Sequence, residues 1–309
     1  MLSSTETSVL STYAIESHWL RSDTPKQRIL LVYAHPDDES FGNAGTILHY
    51  SDAGVGVHYA CATRGEAGSV DPALLQGYAD VSALRTDELM RAAHILGLAS
   101  LHFLGYRDSG MQGAAENNHP NALFQAPLAQ VAERVTALIR ALRPQVVVTF
   151  NSYGGYGHPD HIVCHKATLA AFEAAANPTL FPEQLKQGLA TWKPERLYFT
   201  TFPPGMTRLM LMGLRLTGRD PRRFGVNQDV DLVRVVENVT PISTVISRAD
   251  LLERKQQAWA AHHSQGGGPN RLAFMPLWLR RRMSASEFFT RVYPPVQLGA
   301  AHERDLFGE

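Results

Sequence analysis

RILLVYAHPDDES, residues 28–40, runs from an unbroken apolar stretch straight into a histidine, a proline and three consecutive carboxylates. The apolar part has the length and β-branched, aromatic character of a buried strand, 28–34. The polar part reads as the turn into a helix, because Pro36 suits a first helical position and acids answer the positive end of a helix. Three adjacent carboxylates repel one another unless a cation, a helix N-terminus or water takes up their charge. The helix end accounts for Asp37, Asp38 and Glu39 and leaves His35 unexplained.

Outward from this stretch the pattern repeats. Strand-like runs at 55–63, 100–105 and 145–150 alternate with helical patterns at 42–54, 81–97 and 126–144. Such alternation predicts an α/β fold with a Rossmann-like, doubly wound, mainly parallel sheet. Ligands of such sheets sit beyond the carboxyl ends of the strands. The polar clusters fall there: AHPDDE, then TRGEAGS (63–69), GYRDSGM (105–111) and NSYGGYGHPDH (151–161). Later come a helix from His161 to Asn177, strands at 195–202 and 238–246, and an amphipathic helix over 250–263. The segment from about 203 to 235 reads as a cap or loop over the site. The economical reading is one domain over 1–309, with a core of about 27–202 and a cap and C-terminal extension of about 203–309.

The 29 basic and 29 acidic residues balance, so charge gives no footprint for nucleic acid or an anionic membrane and does not name the partner. A homo-oligomer is left open. Cys61 and Cys164 form no CxxC pair, which argues against a disulfide scaffold. The N-terminus lacks a basic and an apolar signal region, and 205–216 is broken by Arg208 and Arg215, so no span is expected and the reading is cytoplasmic.

His35 and Asp38, three apart at a first helical turn, suit two ligands of one ion. Gly157-His158-Pro159-Asp160-His161 repeats the device at another strand-to-helix turn, and two such turns on one sheet read better as one metal site than as two caps. Two histidines and one carboxylate leave coordination positions open for water and substrate. A carboxylate beside the ion, here Asp37, is suited to take a proton from water. The donor set fits Zn2+, and Fe2+, cobalt or nickel as well.

Together, AHPDDES, TRGE, GYRDSGM, GHPDH and the late HxSQ at 262–265 resemble the LmbE-like, or PIG-L, zinc-dependent deacetylases, nearest their mycothiol-pathway branch of N-acetylglucosaminyl-inositol deacetylases and mycothiol S-conjugate amidases. The resemblance spans about residues 28–266. It implies zinc ligands at His35, Asp38 and His161, and a general base at Asp37. It implies that His158, in protonated form, assists the oxyanion or the leaving amine with Asp160 as its orienting partner, and that Tyr156 polarises the amide carbonyl. Arg64 and Asp108 are implied to hold the sugar, and His262 to edge the site. Glu66 either accepts bonds from a sugar hydroxyl or braces its own loop. The implied partner is a small molecule, and the implied activity is removal of the N-acetyl group from a GlcNAc-type glycoside, such as GlcNAc-inositol or GlcNAc-malate. Thiol S-conjugate amidase is the alternative, and a non-catalytic sugar or metal sensor the second. Conjugate amidases of the family commonly carry a lysine where this chain has Phe41-Gly42-Asn43, which favours simple deacetylation. Arg280–Arg282 read as a solvated face, and Gly266–Gly268 as the end of the HxSQ segment.

Overall fold

The computed structural model describes residues 4–23, 25–225, 228–267, 284–297 and 301–308. Arg280–Arg282 and Gly268 lie outside the described residues. One sheet of eight strands organises the chain: β1 Glu16–Trp19, β2 Arg28–Tyr33, β3 Gly56–Cys61, β4 Ser100–Phe103, β5 Val146–Thr149, β6 Arg196–Thr201, β7 Thr244–Ser247 and β8 Ser286–Tyr293. Their spatial order is β1-β4-β3-β2-β5-β6-β8-β7. The five central strands β4-β3-β2-β5-β6 are parallel, and antiparallel strands flank them on both edges. β2, β3 and β5 are buried almost throughout, which is why their sequences are mostly apolar rather than alternating.

The α/β, mainly parallel expectation holds, and the edges extend it. β1 is a short, half-exposed ESHW segment with too little apolar content to announce itself. β8 enters between β6 and β7 from the far end of the chain, so the C-terminal extension completes the sheet. The strand expected over 238–246 shrinks to Thr244–Ser247. The expected cap holds two helices, Pro204–Leu216 and Leu232–Glu237, packed on each other.

Helices Leu128–Leu142 and Pro159–Ala176 pack together against β2, while Ala44–Asp52, Val81–Leu96 and Leu252–Ala261 contact one another elsewhere in the fold. Arg140, fully buried, donates to the carbonyls of Ala174, Ala175, Asn177, Leu180 and Phe181, and so satisfies the C-terminal end of the Pro159–Ala176 helix. From β2 the chain winds to β3 and β4 on one side, whereas β5 leads to β6 on the other. The switch point therefore lies between β2 and β5, and both His-Pro-Asp turns leave the sheet there. No helix among the described residues is long and apolar enough to cross a membrane.

Candidate metal centre

His35 and His161 come from turns after adjacent strands, and their rings meet almost fully buried, with His35 Nδ1 3.1 Å from His161 Nε2. Each ring's other nitrogen is spoken for. His161 Nδ1 lies 3.1 Å from the Gly154 carbonyl, to which it donates. His35 Nε2 faces Asp160 Oδ2 at 3.3 Å and Asp108 Oδ1 at 3.4 Å. Both remaining lone pairs thus point at one spot, where they repel unless a proton or a cation sits between them. Asp38 closes the third side, with Oδ1 3.4 Å from His161 Nε2 and Oδ2 3.7 Å from His35 Nδ1. Ligands spread tetrahedrally about an ion at zinc–nitrogen distances stand roughly 3.3–3.4 Å apart. These three side chains therefore fit a small divalent cation.

Two further sets each bring one donor atom per residue within 4.8 Å of one another: His35, His158 and His161, and His35, Asp108 and Asp160. His158 Nδ1 already accepts the backbone N–H of Asp160 at 3.2 Å, capping the Pro159–Ala176 helix. Asp108 and Asp160 address the opposite nitrogen of His35. The first set shares His35 and His161 with the His35–Asp38–His161 cluster, and the second shares His35.

The Asp37 carboxylate does not cap the helix it precedes. Its residue sits at φ 123°, no capping bond forms, and Oδ2 accepts from Arg85 Nη2 at 3.2 Å. Burial raises its carboxyl above the usual range against the pull of Arg85, His262 and His35. Burial likewise pushes Asp38 up to about 7. Burial disfavours the charge on His35, yet Asp108, Asp160 and Asp38 outweigh it and raise the ring well above its ordinary value. Asp108, with burial acting against its charge too, is held well below the carboxylate range by His35.

His158 departs from the expectation of a protonated ring, because burial and the His35 charge pull it down to about 3. It is neutral near pH 7, and with Nδ1 accepting, its proton sits on Nε2. Asp160 departs as well: only its backbone N–H touches His158, while its carboxylate binds His35 and the Ser109 N–H. Tyr156 stands edge-on to His161 with ring centroids 5.0 Å apart, and burial keeps its phenol protonated. The turn that carries it needs glycine: Gly154 has φ +67°, and a Cβ there would come within 2.8 Å of His161 Cβ.

The residues expected to hold a sugar are divided. Asp108 lies at the cluster. Arg64 and Glu66 instead line a cleft of about 650 Å³ farther along the rim, together with Phe103, Arg107 and Arg134. Arg64 stacks 3.9 Å over the Phe103 ring, bonds Thr86 and pairs with Glu16. Glu66 Oε2 accepts the N–H groups of Arg64 and Asp108, as a brace of its own loop would.

His262, implied to edge the site, is fully buried. Its Nε2 lies 2.6 Å from Glu39 Oε1, while Glu39 Oε2 accepts the Asp37 N–H. The next residues continue the strap, as Ser264 N and Oγ both bond the Glu88 carboxylate. The reading of the sequence missed Arg85. Its guanidinium donates to the Pro36 and Gly65 carbonyls and to Asp37, and a Cβ on Gly65 would collide with it. The available signal was two charges, Arg85 and Glu88, on the face of a helix otherwise buried through Leu84, Leu89, Ala92 and Leu96.

Residues 30–172 match the family described as PIG-L, GlcNAc-PI de-N-acetylase. A 1D-myo-inositol 2-acetamido-2-deoxy-alpha-D-glucopyranoside deacetylase of Thermobifida fusca is 34% identical over 292 residues, covering 91% of this chain and 99% of its own. The enzyme of that name from Streptomyces avermitilis is 36% identical over 301 residues, with 92% and 98% covered. Among solved structures, N,N'-diacetylchitobiose deacetylase from Pyrococcus horikoshii has a TM-score of 0.58 at 20% identity, over 86% of this chain and 84% of that one. A 4-carboxy-2-hydroxymuconate hydratase from Pseudomonas putida scores 0.56 at 18% identity over 89% and 100%. These two neighbours share the fold and differ in chemistry, so the architecture alone names no reaction. The relatives matched nearly end to end do what the fold cannot, and the chain belongs to the PIG-L family.

Proposed function

We propose that this protein is a zinc-dependent N-deacetylase that hydrolyses the acetamide of a GlcNAc-type glycoside, with GlcNAc-inositol as its substrate and His35, Asp38 and His161 as the metal ligands. The observation that carries this reading is the convergence of His35 Nδ1 and His161 Nε2, both with their second nitrogens engaged, beside the Asp38 carboxylate. Family membership directs that chemistry toward an acetamido sugar, the substrate printed in the names of the two relatives. One domain over 1–309 remains our reading of the chain, with β8 supplied by the C-terminal segment.

A divalent cation held there supplies Lewis acidity, which makes water nucleophilic near neutral pH and draws charge onto the amide oxygen. Asp37, raised in pKa and steadied by Arg85, accepts the proton that the attacking water gives up. The Tyr156 hydroxyl and the His158 Nε2–H donate hydrogen bonds to the amide oxygen as its charge grows. Collapse breaks the C–N bond, and Asp37 returns its proton to the departing amine, leaving acetate and a free amino sugar. No covalent acyl-enzyme is required. Asp108 and Asp160 hold the His35 ring in the tautomer that a ligand needs.

Amine release measured with fluorescamine tests the reading on free GlcNAc, GlcNAc-inositol, GlcNAc-malate and diacetylchitobiose, with metal-loaded and chelator-treated enzyme. Metal-dependent release greatest from GlcNAc-inositol is expected. Silence on every sugar with metal bound, alongside turnover of a mycothiol bimane conjugate, would replace the deacetylase by the conjugate amidase.

A further inference from the structure

Eight large apolar side chains stand exposed among the described residues, and four of them, Leu209, Met210, Met212 and Leu216, belong to the single helix Pro204–Leu216. Leu209, Met212 and Leu216, exposed by 63%, 53% and 80%, recur at i, i+3 and i+7 and so form one stripe. Leu211 and Leu214 are half-buried on the other side. Arg208 and Arg215, seven apart, border the exposed stripe, and Arg219, Arg222 and Arg223 follow directly. All five are exposed, and none has an ion-pair partner among the described residues. Asp220 is the one acid within 204–225.

We propose that this helix and the arginines after it form a docking surface for an anionic lipid membrane. An apolar stripe edged by arginines is the arrangement by which a helix lies in the plane of a bilayer interface, its leucines among the acyl chains and its guanidinium groups at the phosphates. Charge complementarity selects this occupant. A second copy docked face to face would set five arginines against five. A later apolar stretch, 271–282, carries Arg271 and Arg280–Arg282 and has the same sign. The zero formal charge of the chain, which pointed away from membranes, averages over faces and hides this one. One helix, Leu232–Glu237, links this surface to the site, since it packs on both Pro204–Leu216 and the Gly154–Gly157 turn that carries Tyr156. A chain held there works at the membrane surface, whichever acetamido sugar it accepts.

The test is co-sedimentation of the full chain with vesicles of phosphatidylcholine alone and of phosphatidylcholine mixed with phosphatidylglycerol. Pelleting with the anionic vesicles only, weakening as salt is added, is expected. Leu209→Glu with Leu216→Glu should lower the partition coefficient at least about tenfold, and Arg219→Gln and Arg222→Gln about fivefold each. These side chains are exposed, so an unchanged Tm certifies that the variants fold. Failure of the parent chain to pellet with anionic vesicles overturns the proposal. So does equal pelleting of parent and leucine variant, or a dimer that Leu209→Glu dissolves in a chain that binds no vesicle. None of these readouts depends on deacetylation.

Discussion

The turns His35-Pro36-Asp37-Asp38 and His158-Pro159-Asp160-His161 look like copies, and the fold uses them as opposites. In the second, the helix begins at Pro159, and His158 caps it through the Asp160 N–H. In the first, the helix begins two positions later, at Asp38, and Asp37 takes a positive φ with no capping bond. That offset turns the third residue of each motif a different way. Asp37 faces Arg85, whereas Asp160 reaches across to the histidine of the other turn. Only the fourth residues, Asp38 and His161, keep matching positions, and they meet 3.4 Å apart. A motif fixes residue spacing; the point where the helix starts decides what each residue touches.

The largest expected effects separate the fourth positions from the third. His161→Ala should lose bound metal and turnover together, with metal content read by atomic emission. Asp37→Ala should keep its metal and lose about 10²–10⁴ in kcat, as removal of a general base does. If Asp37→Ala is also metal-free, Asp37 belongs with the ligands and the division between the positions collapses.

Asp160→Asn tests the crossing between the turns. A carboxylate that supports a ligand histidine is worth about 10–100-fold in metal affinity. The variant should lose that much in a metal titration and recover most of its kcat once saturated. A fall in kcat at intact metal affinity would return the carboxylate to His158. The same network sets a pH dependence. The acids around His35 raise it above its ordinary pKa, so in the metal-free site it holds a proton that an ion must displace. Metal affinity should therefore fall as pH falls, with proton release visible by calorimetry in buffers of different ionisation enthalpy. Asp160→Asn weakens one of the hydrogen bonds that raise His35 and should lessen that release near pH 7. A pH-independent affinity would mean that His35 is neutral before the metal arrives.

The central sheet was legible because buried parallel strands must be apolar throughout, as RILLVY and VVVT are. Four strand-to-helix loops on one rim followed from that alternation. The residues that hold the site were less legible, because their partners are distant in sequence. His262 bonds a glutamate 223 residues away, and Glu287 on β8 accepts the Gly45 and Thr46 N–H groups from more than 240 residues off. Periodicity reports which face of a helix is buried and is silent on a buried ion pair, so His262 reads as a site-edge residue and its bond to Glu39 goes unseen. Arg85 was missed for the converse reason: a charge on an apolar face looks like noise in the pattern until its acceptors are known.

The smallest expected effect bears on whether a resemblance at one residue carries its role with it. Glu66 lies in the TRGE loop beside residues implied to hold a sugar, yet its Oε2 is spent on the N–H groups of Arg64 and Asp108. Through them it ties the loop after β3 to the loop after β4. Glu66→Gln leaves an oxygen to accept those bonds and removes only their charge assistance. The expected cost is then about 1 kcal/mol of stability, seen as a Tm lower by a few degrees, with KM for GlcNAc-inositol within about twofold of the parent. A carboxylate that gripped a sugar hydroxyl would give the reverse, a KM raised tenfold or more at unchanged Tm, because the lost bond would exist only in the complex. The distinction reaches beyond one side chain. If KM moves, the 650 Å³ cleft that Glu66 lines is part of the sugar site; if only Tm moves, the sugar is held nearer Asp108 and the metal, and the cleft lies outside it.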